Sequence, residues 1–351
     1  MSRRAGWAAR LPSARWLPSS LRSPSPRFQF YLRAIRDGGI LAGLIFAGYL
    51  FIVLAPRART VGLDAYAYWS LDLNDLYGRS QGAVLGPGAF RYSPPVAAAF
   101  APFGSLPFTN FLLLYESILV GTIIWLGHPR PRWILAILAF PPVAVELYYG
   151  NVHLLLAAAV VLGFRHPWTW ALVLLTKITP GVGLVWFIVR REWHALGVAL
   201  GATIAVTLIS LVLAPDLWRE WLETLLGNRT VQTTNSLPIP LIVRLPLAAL
   251  LVAWGARSDR PWTVGVGATM ALPVLWIHGL AMLASLGPFL FWRKSEPKTS
   301  SRHSHDSLSG ARVLGSRCMS LERWWTWSHI SYVVRRRTRD KGLPNTHSSS
   351  P

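Results

Sequence analysis

From residue 38 onward the chain alternates apolar runs of near-bilayer length with short polar turns, most of them rich in arginine. Residues 38–55 form the first run. A helix crosses hydrocarbon in roughly 20 apolar residues, so this run predicts a membrane anchor, and no small-residue cleavage site follows it. Residues 106–126, 133–147, 152–164, 168–189, 194–213, 241–256, 262–275 and 279–292 continue the series, with a shorter apolar piece at 96–103. Counted this way, the chain has about eight to ten membrane segments.

Two stretches break the alternation. Residues 56–95 are a polar loop that carries Asp64, Asp72 and Asp75 and ends in Phe90-Arg91-Tyr92-Ser93-Pro94-Pro95. Asp72 and Asp75 are three apart, which predicts a shared helix face. Residues 214–240 are a second polar segment, in which Leu217, Trp218, Trp221, Leu222 and Leu225 recur at helical spacing. That pattern predicts an amphipathic helix lying on the membrane. Within 168–189, Lys177 and the pair Pro180-Gly181 interrupt the apolar run, and basic residues stand at both ends. Two half-helices that enter and leave on one side account for this, although a single straight span fits the length equally well.

Charge sets the orientation. The 351 residues hold 35 Lys+Arg against 15 Asp+Glu, a formal net charge of +20, and eight arginines precede residue 38. In a soluble protein this excess would suggest nucleic acid. Here it gathers in the tails and in alternate turns, as cytoplasmic segments against anionic lipid do, and no nucleic-acid motif accompanies it. Both termini are therefore expected in the cytoplasm of a multi-pass plasma-membrane protein, with 56–95 and 214–240 outside. A mean hydropathy of +0.36 with 52% hydrophobic and 14% charged residues excludes an ordinary soluble domain. Three regions result: a basic disordered arm at 1–37, a membrane domain at 38–294, and a Ser- and Arg-rich tail at 295–351 that cannot bury a core. The single Cys318 excludes an intramolecular disulfide and a cysteine metal cage.

Candidate chemistry follows from what hydrocarbon tolerates. Any of the three loop carboxylates can serve as a general base, and sequence alone leaves all three open beside the reading of solvated loop charges. Lys177 lies deep in an apolar run, where charges mark function. Arg91, Arg244 and His278 are further groups able to steady a departing phosphate. No second histidine stands at metal spacing from His278, and no Gly-rich phosphate loop or Asp-x-Asp metal motif is present.

In this order the residues resemble glycosyltransferase family 87, the polyprenyl-phosphate-mannose-dependent alpha-mannosyltransferases of the GT-C superfamily. The likeness runs from about residue 38 to 292. Asp64, Tyr68, Leu76-Tyr77-Gly78 and Phe90-x-Tyr92-x-Pro94-Pro95 stand where the family has its first-loop pattern. Gly150-Asn151-Val152-His153 stands for Gly-Gln-x-Asn, Lys177-Ile178-Thr179-Pro180 for Lys-x-x-Pro, Asn235-Ser236 before Arg244 for Asn-Gln-Ser before Arg, and Pro273 to His278 for Pro-x-x-Trp-x-His. The resemblance implies an all-α, GT-C-like helical bundle that transfers mannose, with inversion, from a polyprenyl-phosphate donor to a glycolipid or glycan acceptor at the outer face. It implies Asp64 as base, and Tyr68, Arg91, Tyr92, Asn151, His153, Lys177, Asn235, Arg244 and His278 around the substrates, with no metal or other cofactor required. Such enzymes carry more helices than these runs supply, so a C-terminally truncated member, or an inactive remnant with a frame-shifted tail after Lys294, is also an expectation. A transporter of lipid-linked sugars is the rival reading from another class, since the same groups would bind without reacting.

Overall fold

A computed structural model describes residues 25–80, 88–227 and 239–292 of the chain. Helix α1 (Pro26–Tyr49) begins earlier than the hydrophobic pattern suggests, because Ser25 caps it: its Oγ accepts from the Phe28 amide at 3.2 Å, with Pro26 in the first turn. The helix therefore runs through Arg33, Arg36 and Asp37, which the sequence reading placed in the arm. It continues through a π-helical stretch, Leu50–Leu54, into α2 (Ala55–Ala58). Helices α3 (Leu63–Trp69) and α4 (Pro94–Phe100) hold the two ends of the first polar loop, and α5 (Phe108–Gly127) follows as a full-length apolar helix.

The run at 133–147, expected as one span, is instead two helices bent by 69°. Pro141 and Pro142 end α6 (Pro131–Leu138) and start α7 (Pro141–Tyr149), since proline lacks the amide that would carry the first helix onward. Helix α8 (His153–Leu162) packs against α5. The next run is broken as its lysine and proline predict. Helix α9 (Trp170–Thr176) stops at Lys177, whose backbone is extended at φ −145°, and a 3₁₀ turn, Thr179–Leu184, leads into α10 (Val185–Val189).

Helices α11 (Trp193–Leu213), α12 (Pro215–Gly227), α13 (Leu241–Arg257) and α14 (Trp262–Met270) follow. A 3₁₀ stretch, His278–Ser285, and α15 (Leu286–Trp292) close the described chain, where one apolar helix was expected. Among the described residues, three helices are long and apolar enough to cross a membrane (Arg27–Ala58, Phe108–Gly127 and Trp193–Leu213), or four with the bent pair. The other apolar runs fold as shorter pieces, so among the described residues only three or four of the eight to ten membrane segments read from sequence are long single or bent-pair helices.

Their surroundings differ sharply. On α11 only Ala199 is buried, and Ile209, Val212 and Leu213 are 62%, 81% and 79% exposed. An apolar face of that extent belongs in hydrocarbon. The short helices α8, α9, α14 and the 3₁₀ stretch instead bury most of their side chains against one another. Broken, protein-surrounded backbone beside long lipid-facing helices is the arrangement that lets polar groups sit at membrane depth.

Candidate active site

Asp64 lies in the first turn of α3, and two glycines bring that turn to the end of α7. Gly62 precedes it with φ +71°, and its amide donates to the Tyr148 carbonyl at 2.8 Å. Gly150 ends α7 at φ +65°, where a Cβ would stand 2.8 Å from that of Ala65. Only glycine combines that left-handed backbone with so close a neighbour. The next residue, Asn151, thereby donates from Nδ2 to Asp64 Oδ2 at 2.6 Å, while its Oδ1 accepts from the Val152 amide at 2.7 Å. His278 Nε2 lies 3.5 Å from Asn151 Nδ2 and 4.0 Å from Asp64 Oδ2, the latter just beyond direct hydrogen bonding. The Asp64 side chain keeps 33% of its surface exposed. Burial pushes its carboxyl up to about 6; the Asn151 hydrogen bond and the Lys177 charge oppose this, and Glu146 adds to it. A carboxylate so placed is ionised at neutral pH and still basic enough to take a proton.

Behind this pair runs a second polar chain. Glu146, fully buried on α7, accepts from the His153 amide at 2.5 Å and the Leu154 amide at 3.4 Å, two otherwise orphaned donors at the start of α8. Its other oxygen lies 2.9 Å from His153 Nδ1, and His153 Nε2 lies 2.8 Å from Lys177 Nζ. The chemistry fixes the tautomer: Nδ1–H donates to the carboxylate, and the Nε2 lone pair accepts from the ammonium. Lys177 Nζ also stands 5.8 Å from the centre of the Tyr92 ring, held there because Ser93 Oγ donates to the Leu175 carbonyl at 2.6 Å. Tyr92 in turn shares a 3.1 Å hydrogen bond with Tyr68, which is 2% exposed within an aromatic stack with Phe100 and Tyr115. Burial raises both phenols above their ordinary pKa, so they remain neutral.

The structure thus brings together Asp64, Tyr92, Asn151, His153, Lys177 and His278, with Tyr68 supporting from the core. Arg244 is elsewhere engaged. Its guanidinium donates to the carbonyls of Ile239, Met270, Leu272 and Pro273 at 2.6 to 3.3 Å, which ties α13 to the irregular chain after α14. Asn235 lies outside the described residues. Asp72 and Asp75 do not share a helix: Asp72 Oδ1 accepts from the Asn74 amide at 2.9 Å in a turn, because Asp and Asn side chains compete with helical hydrogen bonding there. Sequence reasoning missed Glu146 and Glu116, two carboxylates in apolar runs, although ionisable groups in such runs are themselves a signal. Among the described residues, Glu116 Oε1 is buried without a partner, close to Gly150.

Sequence reasoning named His153 but missed that it stands beside His278. The rings of His153 and His278 are 5.3 Å apart, and ligand atoms of Glu146, His153 and His278 lie within 4.8 Å of one another. These distances suit a metal, yet both nitrogens of His153 are engaged, one of them by an ammonium group that would repel a second cation.

Fold and site together define an all-α polytopic membrane protein whose candidate base sits at the end of a loop helix, with a buried cation relay behind it. The chain belongs to glycosyltransferase family 87: the model of that family matches residues 90–303, more than half of its length. The matched span holds Asn151, His153, Lys177, Arg244 and His278 but not Asp64. The chain is 27% identical over 245 residues to a polyprenol-phosphate-mannose-dependent alpha-(1-2)-phosphatidylinositol mannoside mannosyltransferase of Mycolicibacterium smegmatis, covering 56% of this chain and 54% of the relative. A protein of the same description from Mycobacterium tuberculosis is 28% identical over 229 residues, covering 53% of each. A phosphatidylinositol pentamannoside mannosyltransferase from that species is 24% identical over 295 residues, 70% of this chain and 64% of the relative. The chain thus spans about half the length of the first two relatives. No solved structure matches it.

Proposed function

We propose that the chain transfers mannose from a polyprenyl-phosphate donor to a mannosylated phosphatidylinositol or similar glycolipid, with Asp64 as the base. The observation that carries this reading is the half-buried Asp64 carboxylate fixed by Asn151, with one edge open and His278 and Lys177 close behind. Family membership and the descriptions of the three relatives support the donor and the acceptor class.

In this reading the acceptor hydroxyl oxygen attacks the anomeric carbon while Asp64 takes its proton. The bond from that carbon to the phosphate oxygen breaks on the opposite face, its electron pair leaving with the phosphate, so the anomeric centre inverts. Asn151 orients the carboxylate and keeps one oxygen from turning away. Lys177 contributes the nearest fixed positive charge; Glu146 and His153 hold it in place, so it need not reorganise as phosphate charge develops. Tyr92 covers the ammonium and keeps water from it. Positive charge at both ends of the chain supports cytoplasmic termini, with the Asp64 loop on the extracytoplasmic side of the plasma membrane.

The test is transfer of labelled mannose from a lipid-linked donor by membranes carrying the chain or its Asp64→Asn form. Loss of a proton acceptor is expected to slow transfer by about 10²- to 10⁴-fold. Equal transfer by the two forms would remove Asp64 from the role, and transfer by neither would sink the mannosyltransferase reading.

A further inference from the structure

Arg91 is held as if its side chain had a fixed task. The carbonyls of three consecutive residues are tied: Phe90 by Ser80 Oγ at 2.5 Å, Arg91 by Trp221 Nε1 at 3.2 Å, and Tyr92 by the Tyr77 hydroxyl at 2.8 Å. The guanidinium they present is nevertheless unsatisfied. Its Nε and Nη2 are both buried, and neither has a hydrogen-bond partner among the described residues. These two nitrogens form one edge of the guanidinium, the edge that binds carboxylate or phosphate through two parallel hydrogen bonds. Arginine cannot escape the cost by losing its proton, so a buried edge without a counter-ion calls for an anion from outside the fold. Among the described residues no carboxylate pairs with it.

A second orphan lies on the helix that meets this strand of chain. On α12 only Trp221 and Thr224 are buried, one turn apart on the same face, and Trp221 is the residue bonded to Arg91. Thr224 Oγ1 is buried without a partner among the described residues. That is unusual here: Thr122, Thr176 and Thr203 each return the hydroxyl to the carbonyl four residues earlier, at 2.6 to 2.8 Å. Beside them on the same apolar side, α12 exposes Leu222, Leu225 and Leu226, as a helix resting on lipid does.

We propose that Arg91 and Thr224 form an oxyanion subsite beneath α12, separate from Lys177, which takes the phosphate of a membrane lipid. Assigning the occupant as a lipid phosphate rests on the mannosyltransferase reading; the subsite itself does not. Two substrates offer that chemistry, the phosphate monoester of the donor and the phosphodiester of an inositol-lipid acceptor. Arg91 supplies the bidentate edge and the charge, and Thr224 a third hydrogen bond.

The test is thermal unfolding of the full chain in phosphatidylcholine nanodiscs, with farnesyl phosphate, short-chain phosphatidylinositol or inorganic phosphate added. One of the two lipids is expected to raise the unfolding temperature of the parent chain and of Arg79→Gln, an exposed arginine of the same loop, and which lipid does so identifies the substrate served. Arg91→Met should lose that shift while unfolding, without ligand, no lower than the parent, because it removes an uncompensated buried charge. Arg91→Lys should keep part of the shift. An undiminished shift in Arg91→Met, no shift with either lipid, or a ligand-free Arg91→Met that unfolds below the parent would overturn the subsite. An equal shift from inorganic phosphate would overturn its assignment to lipid. Asp64→Asn should keep the shift while transferring mannose about 10²- to 10⁴-fold more slowly, and a parent chain that shifts but transfers nothing would count against the transfer reading alone.

Discussion

Arg244 and Arg91 are both arginines in or beside apolar sequence, and both were plausible phosphate ligands before the fold was known. Their surroundings differ completely. Arg244 spends its donors on four backbone carbonyls and is 5% exposed. Arg91 has a rigid backbone and an idle guanidinium edge. The same contrast separates Glu146, whose oxygens are filled by two amides and a histidine, from Asp64, which accepts one hydrogen bond and keeps a third of its surface open. Polar groups that are satisfied internally hold this fold together, and polar groups left with spare capacity mark where a ligand would go.

The largest effect that would break the contrast is on stability at Arg244. Arg244→Met strips four backbone carbonyls of their partner, that of Leu272 buried and the others part-buried, and at roughly 1–3 kcal/mol for a buried group left unsatisfied the loss should be about 3 kcal/mol. Chemical unfolding in detergent should show it, and transfer should fall only in proportion to folded protein. A stable Arg244→Met chain with no transfer would instead return Arg244 to the substrates.

Next in size is the pH response of Asp64. With its carboxyl at about 6, the ionised base is lost as pH falls through that value, so transfer should drop about tenfold per unit below it. Stability moves the other way. The folded chain holds this proton more tightly than the ordinary carboxyl at 3.8, so the group's contribution is fully present below 3.8 and is lost as pH rises through about 6. Asp64→Asn should flatten this part of the stability profile. A rate profile centred near 4 would mean that Asp64 is not the group that titrates.

Much of this was legible from residue types. The break at Lys177 followed from a lysine and a proline in one apolar run, and the α12 helix from the spacing of Leu217, Trp218, Trp221 and Leu225. The break at Pro141-Pro142 carried a proline signal too, but the run's length masked it. What the sequence could not carry was the state of each donor. Nothing local distinguishes the arginine in Phe90-Arg91-Tyr92 from that in Val243-Arg244-Leu245, because the carbonyls that satisfy Arg244 lie more than 25 residues further on, apart from Ile239. The pairing of Glu146 with His153, only seven residues apart, is hidden for a different reason. Their pairing depends on α7 turning at Gly150 into α8, a turn that also sets the Asn151 contact.

That turn supports the smallest and most specific prediction. Gly150→Ala would place a Cβ 2.8 Å from Ala65 and 3.1 Å from Glu116 Oε1, on a backbone at φ +65° that alanine disfavours. The left-handed conformation alone costs about 1 kcal/mol, and the crowding should push α3 away from the end of α7. Because Asn151 reaches Asp64 across that junction at 2.6 Å, a displacement of a few tenths of an ångström lengthens the hydrogen bond that lowers the Asp64 pKa. The midpoint of the transfer profile should therefore move to higher pH while the protein unfolds only slightly more easily. A merely structural turn would lower stability and leave the midpoint in place, so an unmoved midpoint would mean that Asn151 packs beside the base without tuning it.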